Sequence, residues 1–529
     1  GCRVVYEVIQ QHKERYGTVH DIVYTKTSVL RQKLKEIVKE DKAWQSYIKA
    51  TIPWDFDEVK LLTDAYYGGV SHGMHSYLGK VIRYKVEIKD GYIVISYDIS
   101  SSYPAALAAC YVPIRRFREC TYKVDLFNLN PDYCYIIDVT IHDIDSVYNH
   151  SLFSKSKVIE CKGAVTDNGR IAQAESMRVR VTELDWSLIC RMYDFDTSNI
   201  EVHNVYYAKK GSLPNNFIKF ILDAYKDKTK YKKVDGMETT YLLKKGYNNS
   251  CYGLAVQSLL HDNVYFNNID GFSTVTQTKE EINKELVKMR NFCKTPVTYS
   301  TGVWCTAHAR SRLLTACCDL EDMGIETLYM DTDSLKILIK TPEDREKVEE
   351  YIEKVNNAFE KRLQAVIRTI GVDESYIHPT DKNGVEHPLG YWECETVTDD
   401  EVYKEFVQLG AKKYAYRDSK GLHMTLAGVP KEEGLKLLKD DINNFRDGFV
   451  FGYECGKKTL YYSKNQDELT ITDYQGHVTT MSQKFGICML NTTYKLKQAD
   501  DYDMTDVAED IEVVDDYIII DSNRSIKST

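Results

Sequence analysis

Apolar residues recur at helical spacing near the start of the chain, so Val4 to Arg15 and Val29 to Ala50 read as helices around a turn-like segment from Gly17 to Thr27. From Val81 to Tyr97 the apolar positions alternate over short runs, which predicts strand, and Asp90-Gly91 interrupts them as a hairpin turn. Phe217 to Tyr225 and Met237 to Val256 return to helical spacing and predict a helical hairpin. Residues 326–340 are apolar on both sides of a polar tetrad, Asp331-Thr332-Asp333-Ser334, and read as strand, tight turn, strand. Glu343 to Ile367 predicts a long amphipathic helix, and Trp392 to Leu426 again alternates as strands do.

A chain of 529 residues is too long for one hydrophobic core, so several subdomains with a cleft between them are expected. There is no solenoid repeat and no Pro/Ser/Gly-rich linker, which argues that the subdomains are interwoven. No apolar run approaches the roughly 18 residues of a membrane span. The 14 cysteines form no paired C-x-x-C pattern, which reads as reduced thiols of an intracellular protein rather than a zinc site. Gly1-Cys2-Arg3 carries neither an initiator Met nor a signal-peptide pattern, which reads as a fragment or a processed product.

The formal charge of −10 argues against a nucleic-acid partner only until its distribution is read. Asp500 to Asp516 holds nine acidic residues and no Lys or Arg, so the rest of the chain is close to neutral. A flexible tail and a partner contact are both open readings of that stretch. Between the two helical runs, Lys226 to Lys233 is a basic stretch with one tyrosine, suited to phosphates or to a solvated face.

The chemistry concentrates at three places. Asp331 and Asp333 put two carboxylates at the tip of a hairpin, where they repel unless a cation neutralises them, and hard oxygen ligands favour Mg²⁺ or Mn²⁺. Asp-Thr-Asp also suits a turn through its own side-chain hydrogen bonds, so the tetrad alone leaves both readings open. Asp98 ends the apolar run Ile93, Val94, Ile95 and is followed by Ser100-Ser101-Ser102-Tyr103-Pro104, a place for one carboxylate and several amides around a polyphosphate, or for a helix cap. Lys245, Asn249 and Tyr252 are spaced by four and three, so they share one helix face offering a cation, an amide and a ring, and Gly253 permits close approach.

At these residues the chain resembles the family B DNA polymerases. Asp98 to Pro104 looks like motif A, Lys245 to Gly253 like motif B (K-x-x-x-N-S-x-Y-G), and Tyr329 to Ser334 like motif C (Y-x-D-T-D-S). Lys412-Lys413-Tyr414 resembles the K-x-Y element and Tyr66-Tyr67-Gly68-Gly69 the Y-x-G-G/A element, so the likeness spans roughly residues 20–430. Within the family the bacteriophage, protein-primed branch is most similar: Thr306 to Arg310 fits its T-x-x-G/A-R motif, and residues of about 109–212 and 257–297 occupy the places of its insertions. The chain departs from the family at Ser102, often Leu, and at the polar Asn248. A member with proofreading carries an exonuclease module before the Y-x-G-G/A element, and here about 65 residues precede it. Asp55-Phe-Asp57-Glu58 imitates an exonuclease motif but lacks companions, so the exonuclease is expected to be removed or to reside on another polypeptide.

The resemblance implies an α+β right hand. Residues 1–65 would be an exonuclease-side remnant, 66–212 and 258–426 a discontinuous palm with the two insertions, 213–257 the fingers, and 427–529 the thumb with the acidic segment. It implies addition of dNTPs to a primer 3′-hydroxyl with two Mg²⁺ or Mn²⁺ ions, in viral replication and hence host cytoplasm. Asp98, Asp331, Asp333 and the Ile99 carbonyl would hold the metals. Ser101, Ser102, Tyr103, Lys228, Lys232, Lys245, Asn249 and Tyr252 would bind the nucleotide, with Tyr103 excluding a 2′-hydroxyl. Tyr66, Gly68, Gly69, Thr306, Arg310, Thr332, Lys412 and Tyr414 would contact primer-template DNA. A separate exonuclease subunit or a terminal priming protein would be further partners. A reverse transcriptase would lack motif B between its acidic motifs, and a non-catalytic replication subunit would not need all three aspartates.

Overall fold

The computed structural model describes residues 9, 10, 13, 26–84, 93–232, 234–258, 262–267, 271–396, 401–453, 458–463, 469–472, 478–481, 485–489, 492–499, 513–514 and 517–521. A five-stranded antiparallel sheet organises it: β1 (Ser71–Gly73), β2 (Ile93–Ile99), β3 (Glu326–Asp331), β4 (Ser334–Ile339) and β5 (Trp392–Cys394), in spatial order β1-β3-β4-β2-β5. Strands far apart in sequence thus become neighbours, and the row they carry is assembled from four stretches of chain. β2 and β4 are buried through most of their length, as expected of central strands covered on both faces.

Five helices flank this sheet: α1 (Ser102–Ala109), α2 (Asn215–Lys230), α3 (Glu238–Ala255), α4 (Tyr299–Asp322) and α5 (Pro342–Ile370). α5 buries Val348, Ile352, Asn356, Phe359, Leu363 and Ile367, a stripe at spacings of three and four, as its amphipathic pattern predicts. Thr341 caps it with Asp344 in a reciprocal capping box, and Gly371 at φ 78° ends it. α4 is buried nearly all round, from Tyr299 to Leu320, and forms the pillar between two large apolar clusters.

The segment between α1 and α2 folds into an eight-stranded sheet built on the long strands Tyr133–Ser146, Arg170–Thr182 and Ile200–Gly211. Residues 405–410, 413–418 and 421–426 pair with residues 82–83 in a separate four-stranded sheet.

Three expectations change. Residues 82–83 and β2 do not pair with each other: the first joins Phe406, the second joins β4 and β5, so the run from Val81 to Tyr97 supplies strands to two sheets. The turn at Asp90-Gly91 lies outside the described residues, as do most of Val4 to Arg15 and of the acidic stretch from Asp500 to Asp516. The helix expected over Val29 to Ala50 is two, Lys26–Glu40 and Lys42–Thr51, because the Asp41 carboxylate turns back to accept from the Trp44 amide and caps the second. The basic stretch does not simply link α2 and α3; α2 continues through Lys230, and its lysines sit at the carbonyl end, where the helix dipole favours cations. Among the described residues no helix is long and apolar enough to cross a membrane, and the described cysteines are all unpaired.

Candidate functional site

Register builds the site. Across β1, β3, β4, β2 and β5, the residues Ser71, Asp331, Ser334, Asp98 and Glu393 lie opposite one another in one row. Two residues along, on the same face, Tyr329, Lys336 and Ser96 form a second row, and the Glu395 amide donates to the Ser96 carbonyl at 2.8 Å. Opposite side chains on one face of a sheet stand about 5 Å apart, so the sheet presents Asp98 flanked by Ser334 and Glu393. Asp333 comes from the turn between β3 and β4, where its carbonyl accepts from the Ile99 amide at 2.7 Å.

The backbone is strained at this place. Ser101, Thr332 and Lys412 are non-glycine residues with φ of 55°, 60° and 59°, conformations costing on the order of 1 kcal/mol or more each. Thr332 is held there by its amide, which donates to the Val70 carbonyl at 2.6 Å. A Cβ on Gly69 would lie 2.8 Å from the Thr332 Oγ1, so the Tyr66–Gly69 loop packs directly on the hairpin tip and only a glycine fits. The space over Gly68 and over Gly253 is open.

The carboxylates are in electrostatic conflict. Burial, then the Asp333 and Glu395 carboxylates, push Asp98 up to about 8. Burial, then Asp331, push Asp333 up to about 6. Two lysines offset this. Lys412 bonds the Asp331 carboxylate. Lys336, 4% exposed, donates to Ser96 Oγ at 2.5 Å and lies 3.4 Å from the Glu395 carboxylate, which accepts from the same Ser96 hydroxyl at 2.5 Å. Sequence reasoning passed over Lys336, Glu393 and Glu395; only the strand register, a non-local property, places them beside Asp98.

Facing this row, the end of α2 brings Lys228 within 2.9 Å of Ser101 Oγ. Burial, then the nearby ammonium groups of Lys232 and Lys245, lower Lys228 to about 8, so these three lysines share one region of positive potential. Lys232 also lies 3.5 Å from His387. On α3, Tyr252 stacks on Tyr103 with ring centroids 4.2 Å apart, and its hydroxyl bonds that of Tyr66 at 2.6 Å. Asn249 is exposed beside them, whereas Asn248 is buried. The Ser102 hydroxyl is buried without a hydrogen-bond partner. Tyr414 packs against Tyr329, whose hydroxyl accepts from the Lys412 amide at 2.9 Å.

Two expected DNA contacts are placed otherwise. Thr306 is fully buried and its hydroxyl returns to the carbonyls of Gly302 and Val303 within α4. Arg310 is 2% exposed, holds Asp185 through two nitrogens at 2.8 and 2.9 Å, and donates to the carbonyls of Tyr67 and Gly68. Its donors are spent on fixing the Tyr66–Gly69 loop, so any influence on a bound strand passes through that loop. Exposed cations near this loop come instead from Lys155 and Lys157, which border cavities shared with Lys413 and with Gly68 and Gly69.

Neither a protein-family model nor a curated protein matches the chain. Among solved structures, phi29 DNA polymerase complexed with primer-template DNA and incoming nucleotide superposes with a TM-score of 0.58 at 18% identity, covering 92% of this chain and 70% of that one. The chain has a DNA polymerase fold. The same polymerase complexed with single-stranded DNA gives a TM-score of 0.58, and its post-translocation binary complex with primer-template DNA 0.57, over the same shares.

The donor set suits divalent cations. Asp98, Asp331 and Asp333 offer hard oxygens, their mutual repulsion is the kind a cation relieves, and Glu393 adds a buried carboxylate oxygen without a hydrogen-bond partner. Among the described residues no three His, Cys, Asp or Glu side chains are already gathered at ligand spacing; in this conformation Asp331 is turned to the Lys412 ammonium.

Proposed function

We propose that the chain is a DNA-directed DNA polymerase that adds dNTPs to a primer 3′-hydroxyl, acting in viral DNA replication. The observation that carries the reading is the row of carboxylates on β3, β2 and the β3–β4 turn, set opposite Lys228 of α2, Lys232 just beyond it and Lys245 of α3 within a polymerase fold. In that reading the five-stranded sheet is the palm, α2 and α3 the fingers, and the region from residue 427 the thumb.

Asp98, Asp331, Asp333 and the Ile99 carbonyl would hold two Mg²⁺ or Mn²⁺ ions, which when bound lower the pKa of the primer hydroxyl and neutralise charge on the triphosphate. Lys228, Lys232 and Lys245 draw the triphosphate toward the carboxylate row. Lys228 is kept in place by Ser101, and its depressed pKa leaves it charged near neutral pH and ready to pair with phosphate oxygens. The stacked Tyr103 and Tyr252 form a rigid wall for the sugar and base of the incoming nucleotide, Tyr103 barring a 2′-hydroxyl. Gly68 leaves the backbone of its loop open to a template strand while Gly69 seats that loop on the hairpin tip, and Lys412 with Tyr414 meets the primer end. Contacts of this kind to phosphate and sugar bind DNA without reading its sequence. A terminal priming protein, seated on the sheet of residues 112–211, completes the reading.

Primer extension on a DNA template with Mg²⁺ tests it. Wild-type protein should extend the primer, and Asp333→Asn should lose incorporation at least a thousandfold while still binding the primer-template. No extension by the wild type, or undiminished extension by the variant, refutes the reading; extension on RNA templates alone would assign the fold to reverse transcription.

A further inference from the structure

Away from the carboxylate row, a cleft of about 500 Å³ opens where α1, α2, α4 and α5 meet the end of strand Ile200–Gly211. Its wall carries Lys210, His308, Lys361 and Arg362, and among the described residues no Asp or Glu lines it. Lys210 is held 3.4 Å from Glu183, whereas Lys361 and Arg362 are exposed on α5 and pair with no carboxylate among the described residues. His308 lies 2.8 Å from the Tyr111 carbonyl. Burial opposes charge on that imidazole, but the adjoining Cys110 thiol and the Tyr111 carbonyl outweigh it and raise its pKa.

The adjoining charges of Lys361 and Arg362, with no carboxylate beside them among the described residues, are unfavourable without an anion to absorb them. The other features narrow the anion. The volume lies in the range of small-molecule sites and exceeds the needs of one phosphate. Tyr111 is 57% exposed at the rim, although a free tyrosine ring gains by being covered, and Val366 belongs to an apolar floor. Cations on one side, an open ring and an apolar floor on the other, match a phosphate chain joined to a flat heterocycle. The cleft meets the C-terminal end of α1, whose N-terminal end carries Ser102 and Tyr103. Eight residues of helix, about 12 Å, separate the two ends, so this place is distinct from the triphosphate region at Lys228.

We propose that this cleft is a second binding site for a nucleoside polyphosphate, with Lys361 and Arg362, helped by Lys210, taking the phosphates and Tyr111 the base.

The test is isothermal titration of the full chain with ATP in EDTA, without primer-template, so that the polymerising centre contributes least. ATP should bind wild type and Lys228→Ala/Lys245→Ala alike, at least tenfold more weakly in Lys361→Gln/Arg362→Gln, and more weakly in Tyr111→Ala. Both cationic positions are exposed, and an unchanged melting temperature verifies that the double variant is folded. Unchanged affinity in Lys361→Gln/Arg362→Gln, or loss in Lys228→Ala/Lys245→Ala, overturns the proposal. Inorganic pyrophosphate binding as tightly as ATP would reduce the cleft to a generic anion site, and displacement by a short oligo(dT) with no ATP binding would make it a strand path; either result also overturns it.

Discussion

Replacing Lys336 by Met tests whether the second row of the sheet serves the first. Met keeps most of the volume and removes a buried ammonium that offsets Asp98 and Asp333. The size of the loss follows from the titration of those carboxylates. Without Lys336 the metal-free site can stay ionised at higher cost or take a proton onto Asp333, and the cheaper route sets the ceiling. With Asp333 at about 6, that proton costs about 1.4 kcal/mol at pH 7 and about 2.7 kcal/mol at pH 8. At pH 5 both carboxylates already hold their protons and the charge contribution vanishes, leaving only a constant offset from the lost Ser96 contact.

The sign is the reverse of the usual carboxylate case. Folded values above the unfolded one mean that these groups favour folding most below pH 3.8, and that this stability is lost as pH rises toward about 6 for Asp333 and about 8 for Asp98. Urea midpoints for wild type and Lys336→Met in EDTA at pH 5, 7 and 8 should therefore diverge with rising pH, and converge again under saturating Mg²⁺. A gap that is the same at all three pH values and untouched by Mg²⁺ would refute the reasoning and leave Lys336 a packing residue.

The other predictions follow from single contacts. Asp98→Asn should stop primer extension yet raise metal-free stability at pH 8 by several kcal/mol, because a neutral side chain escapes the burial and repulsion acting on Asp98; a lower urea midpoint in EDTA would contradict this. Gly69→Ala puts a methyl 2.8 Å from Thr332 Oγ1, so the β3–β4 turn should shift at a cost of about 1–3 kcal/mol and turnover should fall more than primer-template affinity, read by separate binding and single-turnover assays. Arg310→Met leaves Asp185 buried and unpaired and should cost about 3–5 kcal/mol, seen as a large fall in melting temperature; a variant that melts like wild type and loses only DNA affinity would restore the direct contact. Tyr103→Ala removes the ring stacked on Tyr252 and should raise ribonucleotide incorporation relative to deoxyribonucleotide, measured as a ratio of kcat/KM values.

What could be read from the chain was local. The β3–β4 hairpin, the strand ending near Asp98 and the paired helices α2 and α3 each announce themselves within a dozen residues, and they stand where the periodicity placed them. Lys336 could not be recognised that way, because in sequence it is one polar position in an apolar strand and only pairing with Ser96 brings it to the carboxylates. The same holds for Glu393, which reaches Asp98 from nearly three hundred residues away. Arg310 misled for another reason. Its motif signals a strand contact, but α4 is covered on every side, and a helix buried all round gives no amphipathic stripe to show which residues meet solvent. The turn expected at Asp90-Gly91 lies outside the described residues, and the described strands on either side of it pair elsewhere, because a turn signal says where a chain can reverse, not which strands then pair.

The state of the site argues for a ligand more strongly than any motif does. A sheet selected only for stability would not gather Asp98, Asp331, Asp333 and Glu393 along one edge of its hydrophobic layer, since apolar or neutral residues there would fold more tightly. Nor would it hold Ser101, Thr332 and Lys412 in left-handed backbone around the same point. Each of these features costs free energy in the isolated chain, and the repulsion among the carboxylates is relieved by positive charge delivered to them. Lys412 and Lys336 deliver part of it, yet burial, then the Asp333 and Glu395 carboxylates, still hold Asp98 up at about 8, which leaves the site short of positive charge. That remaining deficit, facing a cluster of lysines suited to phosphates, is what a metal-bound triphosphate would fill from both sides at once.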